Sequence, residues 1–114
     1  EEIKNSSETI KEWINKLSLT KIIKNKRSLN TKLNLSVDCF SGGEIQRLGL
    51  IRTWLRDKPI ELLDEPTSML DKELTELVKK IIIQRSKDKI TFIVTHDESL
   101  IKAASFVIKF PPNK

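Results

Sequence analysis

The 114-residue sequence predicts an α/β fold: an incomplete parallel sheet with flanking helices. Three observations carry this. Short apolar runs at 60–63 and 90–95 alternate with segments of helical period. The second run, Ile-Thr-Phe-Ile-Val-Thr, is apolar in character throughout, as strands of parallel sheets are. Strand–helix–strand–helix–strand order then requires right-handed crossovers. Only three strands can be found, so the sheet is expected to expose an edge and one apolar face. Such a surface invites aggregation or pairing with another chain.

Each element has a local cause. Residues 5–18 are predicted as an amphipathic helix, because Ile10, Trp13, Ile14 and Leu17 fall at i, i+3, i+4 and i+7. Asn5 and Glu8 have capping-box spacing. A basic segment (21–28) and a polar, irregular stretch (29–39) follow. Ser41-x-x-Glu44 is a second capping box, opening a helix that runs to about Arg56 and is broken by Lys58-Pro59. Ile60, Leu62 and Leu63 form a buried strand that stops at Asp64. Glu61 is out of place in a central strand, and either sits at an edge or pairs with a basic neighbour. Pro66 to Leu70 is a loop, and Asp71 caps a helix of about 72–86. Leu74, Leu77, Val78, Ile81 and Ile82 form its apolar stripe, with Glu76–Lys80 as an i,i+4 pair. Residues 90–95 make the second strand, with His96 at its end. A short helix around 98–104 leads to the third strand, Phe106 to Phe110.

Composition narrows the function classes. Hydrophobic residues at 38% and charged residues at 32% fit a globular chain rather than a disordered one. The net charge of +5 comes from lysines scattered along the sequence. A nucleic-acid surface clusters them with aromatics between, so a nucleic-acid partner is not expected. The single Cys39 excludes an intramolecular disulfide and fits a reducing compartment. No apolar run approaches the ~20 residues that cross a bilayer, and the N-terminus is no signal peptide. The absence of an initiator methionine leads us to expect that the chain is cut from something longer.

Four groups of residues can carry chemistry. Glycines 42 and 43 just inside a helix start permit close backbone approach, and the free N–H groups there favour an anion. Ser41 can cap the helix or donate to a phosphate oxygen. Asp64, at the carboxyl end of a parallel strand, stands where α/β folds bind ligands. It can hold a metal-bound water while Glu65 orients or deprotonates an attacking water; the alternative is a strand end followed by a solvated acidic turn. His96, the sole histidine, follows the neighbouring strand and could reach the same phosphate, although a lone histidine is more often an ordinary surface residue. Ser68-Met69-Leu70-Asp71 ends in a helix N-cap.

Taken together, in this order, these motifs resemble the ATP-binding cassette family over about residues 30–110. Phe40-Ser41-Gly42-Gly43-Glu44, followed by Gln46-Arg47, is similar to the family signature Leu-Ser-Gly-Gly-Gln and departs from it at the first and last positions. Leu62-Leu63-Asp64-Glu65-Pro66-Thr67 resembles the Walker B strand with its catalytic glutamate. Ser68-Met69-Leu70-Asp71 resembles the D-loop, and Thr95-His96-Asp97 the switch histidine. The resemblance implies a P-loop NTPase fold that uses ATP and Mg2+. By it, Asp64 positions magnesium through water, Glu65 polarises the attacking water, and His96 contacts the γ-phosphate. Ser41, Gly42 and Gly43, with Glu44 closing the signature, serve the ATP bound to the opposite subunit, and Asp71 couples the two sites. The implied partners are a second nucleotide-binding domain in a head-to-tail dimer and the coupling helices of a transmembrane domain. The implied location is the cytoplasmic face of a membrane.

The short step from Ser41 to Asp64 matches the transporters of this family. DNA-repair members usually place more residues there, although the ending His96 to Phe110 is similar to theirs. Residues 1–30 carry no sustained heptads, which argues against a coiled-coil repair enzyme. Leu29-Asn30-Thr31 resembles an exporter's Leu-Asp-Thr. Of three glycines two lie in the signature, and no Gly-x-x-x-x-Gly-Lys-[Ser/Thr] exists. We therefore expect residues 1–40 to be the end of a helical subdomain and 41–114 the signature helix and C-terminal part of an ATPase core. The remaining N-terminal part of the domain would be a further partner. Alone, the chain is expected to bind ATP poorly and not to turn it over. A catalytically silent interaction module is the remaining alternative.

Overall fold

In the computed structural model, residues 2–25 and 40–111 are described. Their elements are α1 (Glu2–Lys16), α2 (Thr20–Asn25), α3 (Gly42–Arg56), β1 (Ile60–Asp64), α4 (Lys72–Arg85), β2 (Ile90–Val94) and α5 (Glu98–Ala103). Leu29-Asn30-Thr31 and Cys39 lie outside the described residues, as do the side chains of Asn5 and Glu8. Helix α1 already runs from Glu2, so the Asn5–Glu8 spacing falls within it rather than at its start. Helix α2 occupies the front of the basic segment that the sequence had shown only as a connection. No described helix is long and apolar enough to cross a membrane.

Helix α1 ends by a mechanism that composition alone does not show. Ser18 adopts a left-handed backbone with φ 58°. The Leu19 amide donates back to the Ile14 carbonyl at 2.9 Å and the Ser18 amide to Asn15 at 3.1 Å. This is the Schellman pattern, built here on serine instead of glycine. It turns Leu17 and Leu19 inward, and both are completely buried. The core they join contains Leu50, Ile51 and Trp54 of α3, Leu63 of β1, Val78, Ile81 and Ile82 of α4, and Leu100 of α5. Each aliphatic side chain so buried contributes roughly 1.5–3 kcal/mol. Trp54 stacks at a tilt on Trp13 with ring centroids 4.8 Å apart, which fastens α1 to α3.

The sheet has two strands, not three. β1 and β2 pair in parallel, with Ile60 opposite Ile90, Leu62 opposite Phe92 and Asp64 opposite Val94. The predicted third strand at 106–110 is exposed and has no strand partner among the described residues. Its physical reason is the connection: residues 95–105 hold only the six-residue α5, near the lower limit for a parallel crossover. Strand existence is also non-local, since an apolar run becomes a strand only where an edge is in reach.

The expectation that Ile60, Leu62 and Leu63 are all buried is corrected as well. Burial alternates along β1, with Glu61 and Leu63 turned to the helices. Ile60 is 54% exposed and Leu62 72%. With Ile90, Phe92 and Val94 exposed opposite them, helices cover one face of the sheet and the other presents an apolar surface. The buried Glu61 receives Arg85, whose Nε lies 3.2 Å from Glu61 Oε1 and whose Nη2 donates to the same oxygen. The guanidinium also stands 5.8 Å over the Trp54 ring and donates to the Trp54 carbonyl. The out-of-place glutamate therefore takes the basic partner.

Candidate functional site

The parallel register sets the chemistry-bearing residues side by side. Asp64 and Val94 are opposite, so the residues after each strand emerge at the same end of the sheet. The Glu65 amide donates to the Val94 carbonyl at 2.8 Å, carrying the ladder one step beyond β1. Glu65 itself has φ 44°, a left-handed conformation. For a residue with a Cβ this costs on the order of 1–3 kcal/mol. His96 Nε2 lies 3.6 Å from Glu65 Oε1, an ion pair only when the imidazole is protonated. His96 is almost wholly exposed. The Asp64 carboxylate is exposed too and makes no ion pair among the described residues. No group of three or more His, Cys, Asp or Glu able to hold a metal occurs among the described residues.

The second half of the site is the start of α3. Ser41 is its N-cap, and the capping box is complete: the Glu44 amide donates to Ser41 Oγ at 3.3 Å, and the Ser41 amide to Glu44 Oε2 at 3.2 Å. The sequence-predicted cap is thus formed locally, and it engages the Ser41 hydroxyl as an acceptor. Gly42 and Gly43 lie against the loop after β1. A Cβ at Gly43 would stand 2.7 Å from the Met69 carbonyl oxygen, and one at Gly42 2.2 Å from Met69 Cε. The backbone clash at Gly43 cannot be relieved by rotating a side chain, so glycine there serves close approach. Asp71 caps α4, accepting from the Leu74 amide at 2.9 Å.

Two residues tie these parts together, and sequence reading had noted them only as followers of the signature. Gln46 donates through Nε2 to the Glu65 carbonyl at 2.9 Å and to Ser68 Oγ at 3.1 Å, and accepts from the Met69 amide at 3.0 Å. Arg47, buried, donates to the Gly43 carbonyl and, 30 residues back in sequence, to the Leu17 carbonyl at 2.9 Å. One signal was available. Gln46 falls three and four residues after the two glycines, on the same helix face, so whatever packs on the glycines meets its side chain.

A polar cluster supports the far side. Lys79 reaches Ser99 Oγ at 2.7 Å, Asp97 Oδ2 at 3.1 Å and Glu76 at 2.9 Å. Glu76 therefore pairs with Lys79 rather than with the expected Lys80, because Lys79 is drawn inward by Asp97. Asp97 also caps α5. Its hydrogen bonds from Ser99 and then from Lys79 hold its carboxyl down to about 2. Hydrogen bonds to Glu76 first and then to Asp97 raise the Lys79 ammonium above its ordinary value. With a depressed carboxylate, the stabilisation is present above the unfolded pKa of about 4 and is lost as pH falls through about 2. We expect Asp97→Asn to flatten the acid loss of stability between about pH 4 and pH 2, as read by denaturant melts at each pH. An unchanged slope would remove Asp97 from acid unfolding.

Comparison with known proteins gives a consistent set. The family described as ABC transporter matches residues 1–68, more than half of the chain. The chain is 46% identical over 68 residues to a beta-(1→2)glucan export ATP-binding/permease protein of Brucella suis, covering 60% of this chain and 11% of that protein. It is 38% identical over 98 residues to a glutathione/L-cysteine transport system ATP-binding/permease protein of Haemophilus influenzae, covering 85% and 17%. It is 39% identical over 87 residues to an ATP-dependent lipid A-core flippase of Wigglesworthia glossinidia brevipalpis, covering 76% and 15%. The chain thus spans less than a fifth of the length of these relatives.

Proposed function

The chain belongs to the ABC transporter family, and from that premise we propose that it is the signature-helix and acidic-strand part of an ATP-hydrolysing domain that drives transport. Its domain would contain residues 1–40 as the end of a helical subdomain and 41–114 as core. The observation that carries the reading is the docking of the Ser41–Glu44 helix start on the turn that follows Asp64-Glu65, with His96 beside Glu65. Export stands in the name of one relative and lipid flipping in that of another, which favours an exporter.

On this reading each residue has a place in the reaction. ATP with Mg2+ supplies the phosphoryl group and the charge that must be stabilised as it leaves. Asp64 would hold the ion through water, and Glu65 would accept hydrogen bonding from the attacking water and draw off its proton. His96, exposed at the same sheet end, would donate to a γ-phosphate oxygen. Ser41 to Gly43, Glu44 and Asp71 would face the nucleotide of a second domain in a head-to-tail dimer. Helices of a membrane domain would dock on the helical subdomain, at the cytoplasmic face. The phosphate loop would come from an N-terminal part of the same domain, whose absence from these residues leaves the chain alone inactive. That part would also cover the apolar sheet face.

Calorimetry separates these statements. MgATP titrated into the 114-residue chain is expected to show no micromolar binding, and titrated into the domain assembled with a phosphate-loop half to show it. Micromolar binding by the chain alone overturns the half-site account. Failure of the assembled domain to bind overturns the ATPase reading.

A further inference from the structure

The Gln46 side chain joins two motifs that the proposed reading assigns to different nucleotides. Its amide is used three times, each with one chemically permitted orientation. The Glu65 carbonyl can only accept and the Met69 amide can only donate, so Nε2 must face the first and Oε1 the second. The remaining Nε2 hydrogen goes to Ser68 Oγ. A flipped amide, or a carboxylate in its place, would set oxygen against oxygen at Glu65. The Glu65 carbonyl belongs to the residue held at φ 44°, a conformation that persists only where its surroundings over-determine it. Three of those constraints are visible: the Glu65 amide donates to Val94, and the Glu65 carbonyl accepts from the Ser68 amide within the turn and from Gln46 across it. On the helix side, Gln46 cannot slide, because Gly43 is packed on Met69 and Arg47 is anchored on Leu17.

We propose that Gln46 is a positioning residue, locking the start of α3 to the 65–69 turn and so setting the backbone from which the Glu65 carboxylate projects. In this arrangement Gln46 acts through Glu65, whose carbonyl it holds. The proposal rests on the reading of Glu65 as the residue that activates water. Its structural half, the lock, stands on the hydrogen bonds alone. A consequence is that the signature face and Glu65 move as one body, since every displacement of α3 at Gln46 is passed to the Glu65 carbonyl.

Two variants test it. In the 114-residue chain, Gln46→Ala is expected to speed hydrogen exchange of the Met69 amide at least tenfold, with the amides of Leu50 and Ile51 unchanged. Gln46→Glu keeps an acceptor for Met69 but opposes the Glu65 carbonyl, so Met69 should stay protected. In the assembled domain both variants are expected to lower kcat at least tenfold with KM for ATP within twofold. Loss of kcat with Met69 still protected is a split that a purely structural role would not produce. If Gln46→Ala does not fold, Gln46→Glu decides. Unchanged Met69 exchange in Gln46→Ala, or kcat within twofold of wild type in Gln46→Glu, overturns the proposal. Absence of turnover in the assembled wild-type domain would instead sink the ATPase reading, and Met69 exchange would still judge the lock.

Discussion

Glu65→Gln is expected to abolish ATP turnover in the assembled domain, by a factor of roughly 10²–10⁴, while leaving the ATP-bound dimer intact. That range is what a positioned general base contributes. Glutamine is isosteric, keeps the backbone hydrogen bond to the Val94 carbonyl and keeps the left-handed backbone at φ 44°. It removes the negative charge, and with it the ability to take a proton and the ion pair to a protonated His96. The nucleotide and the second domain should therefore still associate, and product should not form. Single-turnover assays with size-exclusion chromatography in ATP read both halves. Retained hydrolysis would take Glu65 out of the water-activating role and leave it as the solvated turn that the sequence also permits. His96→Ala is not equivalent, since the imidazole meets Glu65 at 3.6 Å from an exposed position and holds nothing in the fold.

The largest stability effect is expected at the Glu61–Arg85 pair. Glu61 is 2% exposed, and the Arg85 side chain is 17% exposed. Removing one partner of a buried pair leaves an uncompensated charge, at about 3–5 kcal/mol. An exposed pair would cost less than about 1 kcal/mol. Arg85→Leu is expected to fall in the first range, because Glu61 then keeps no cation and Trp54 loses the guanidinium over its ring. Glu61→Leu combined with Arg85→Leu should recover most of the loss, since leucine continues the apolar lining that Leu63 and Ile82 already form. Denaturant melts of the two variants decide it. A single-variant loss under 1 kcal/mol would mean that water screens the pair despite its burial.

The parts of the fold that were readable are those made by neighbours in sequence. Ser41 with Glu44, and Asp71 with the Leu74 amide, are caps formed over three residues, and both stand where the spacing put them. The placement of Glu61 was legible as a conflict, an acid in an apolar strand, though not the identity of its partner. What could not be read depends on distant groups. Gln46 gains its meaning from the loop beyond the next strand, and Lys79 from a cap on α5. Ser18 carries a helix stop that composition assigns to glycine. The run at 106–110 has strand composition, but composition does not supply an edge to pair with. Of the candidate site, the sheet-end meeting of Glu65 and His96 followed from two strand ends expected side by side; the α3 docking beside it did not.

The left-handed backbone at Glu65 sets stability and chemistry against each other at a single position. Asparagine or glycine would occupy φ 44° with less strain. A library screened for heat resistance alone would therefore drift toward those residues at 65 and return sturdier proteins without the carboxylate. Thermal selection of this chain needs an activity filter, or position 65 held fixed, if the survivors are to remain useful.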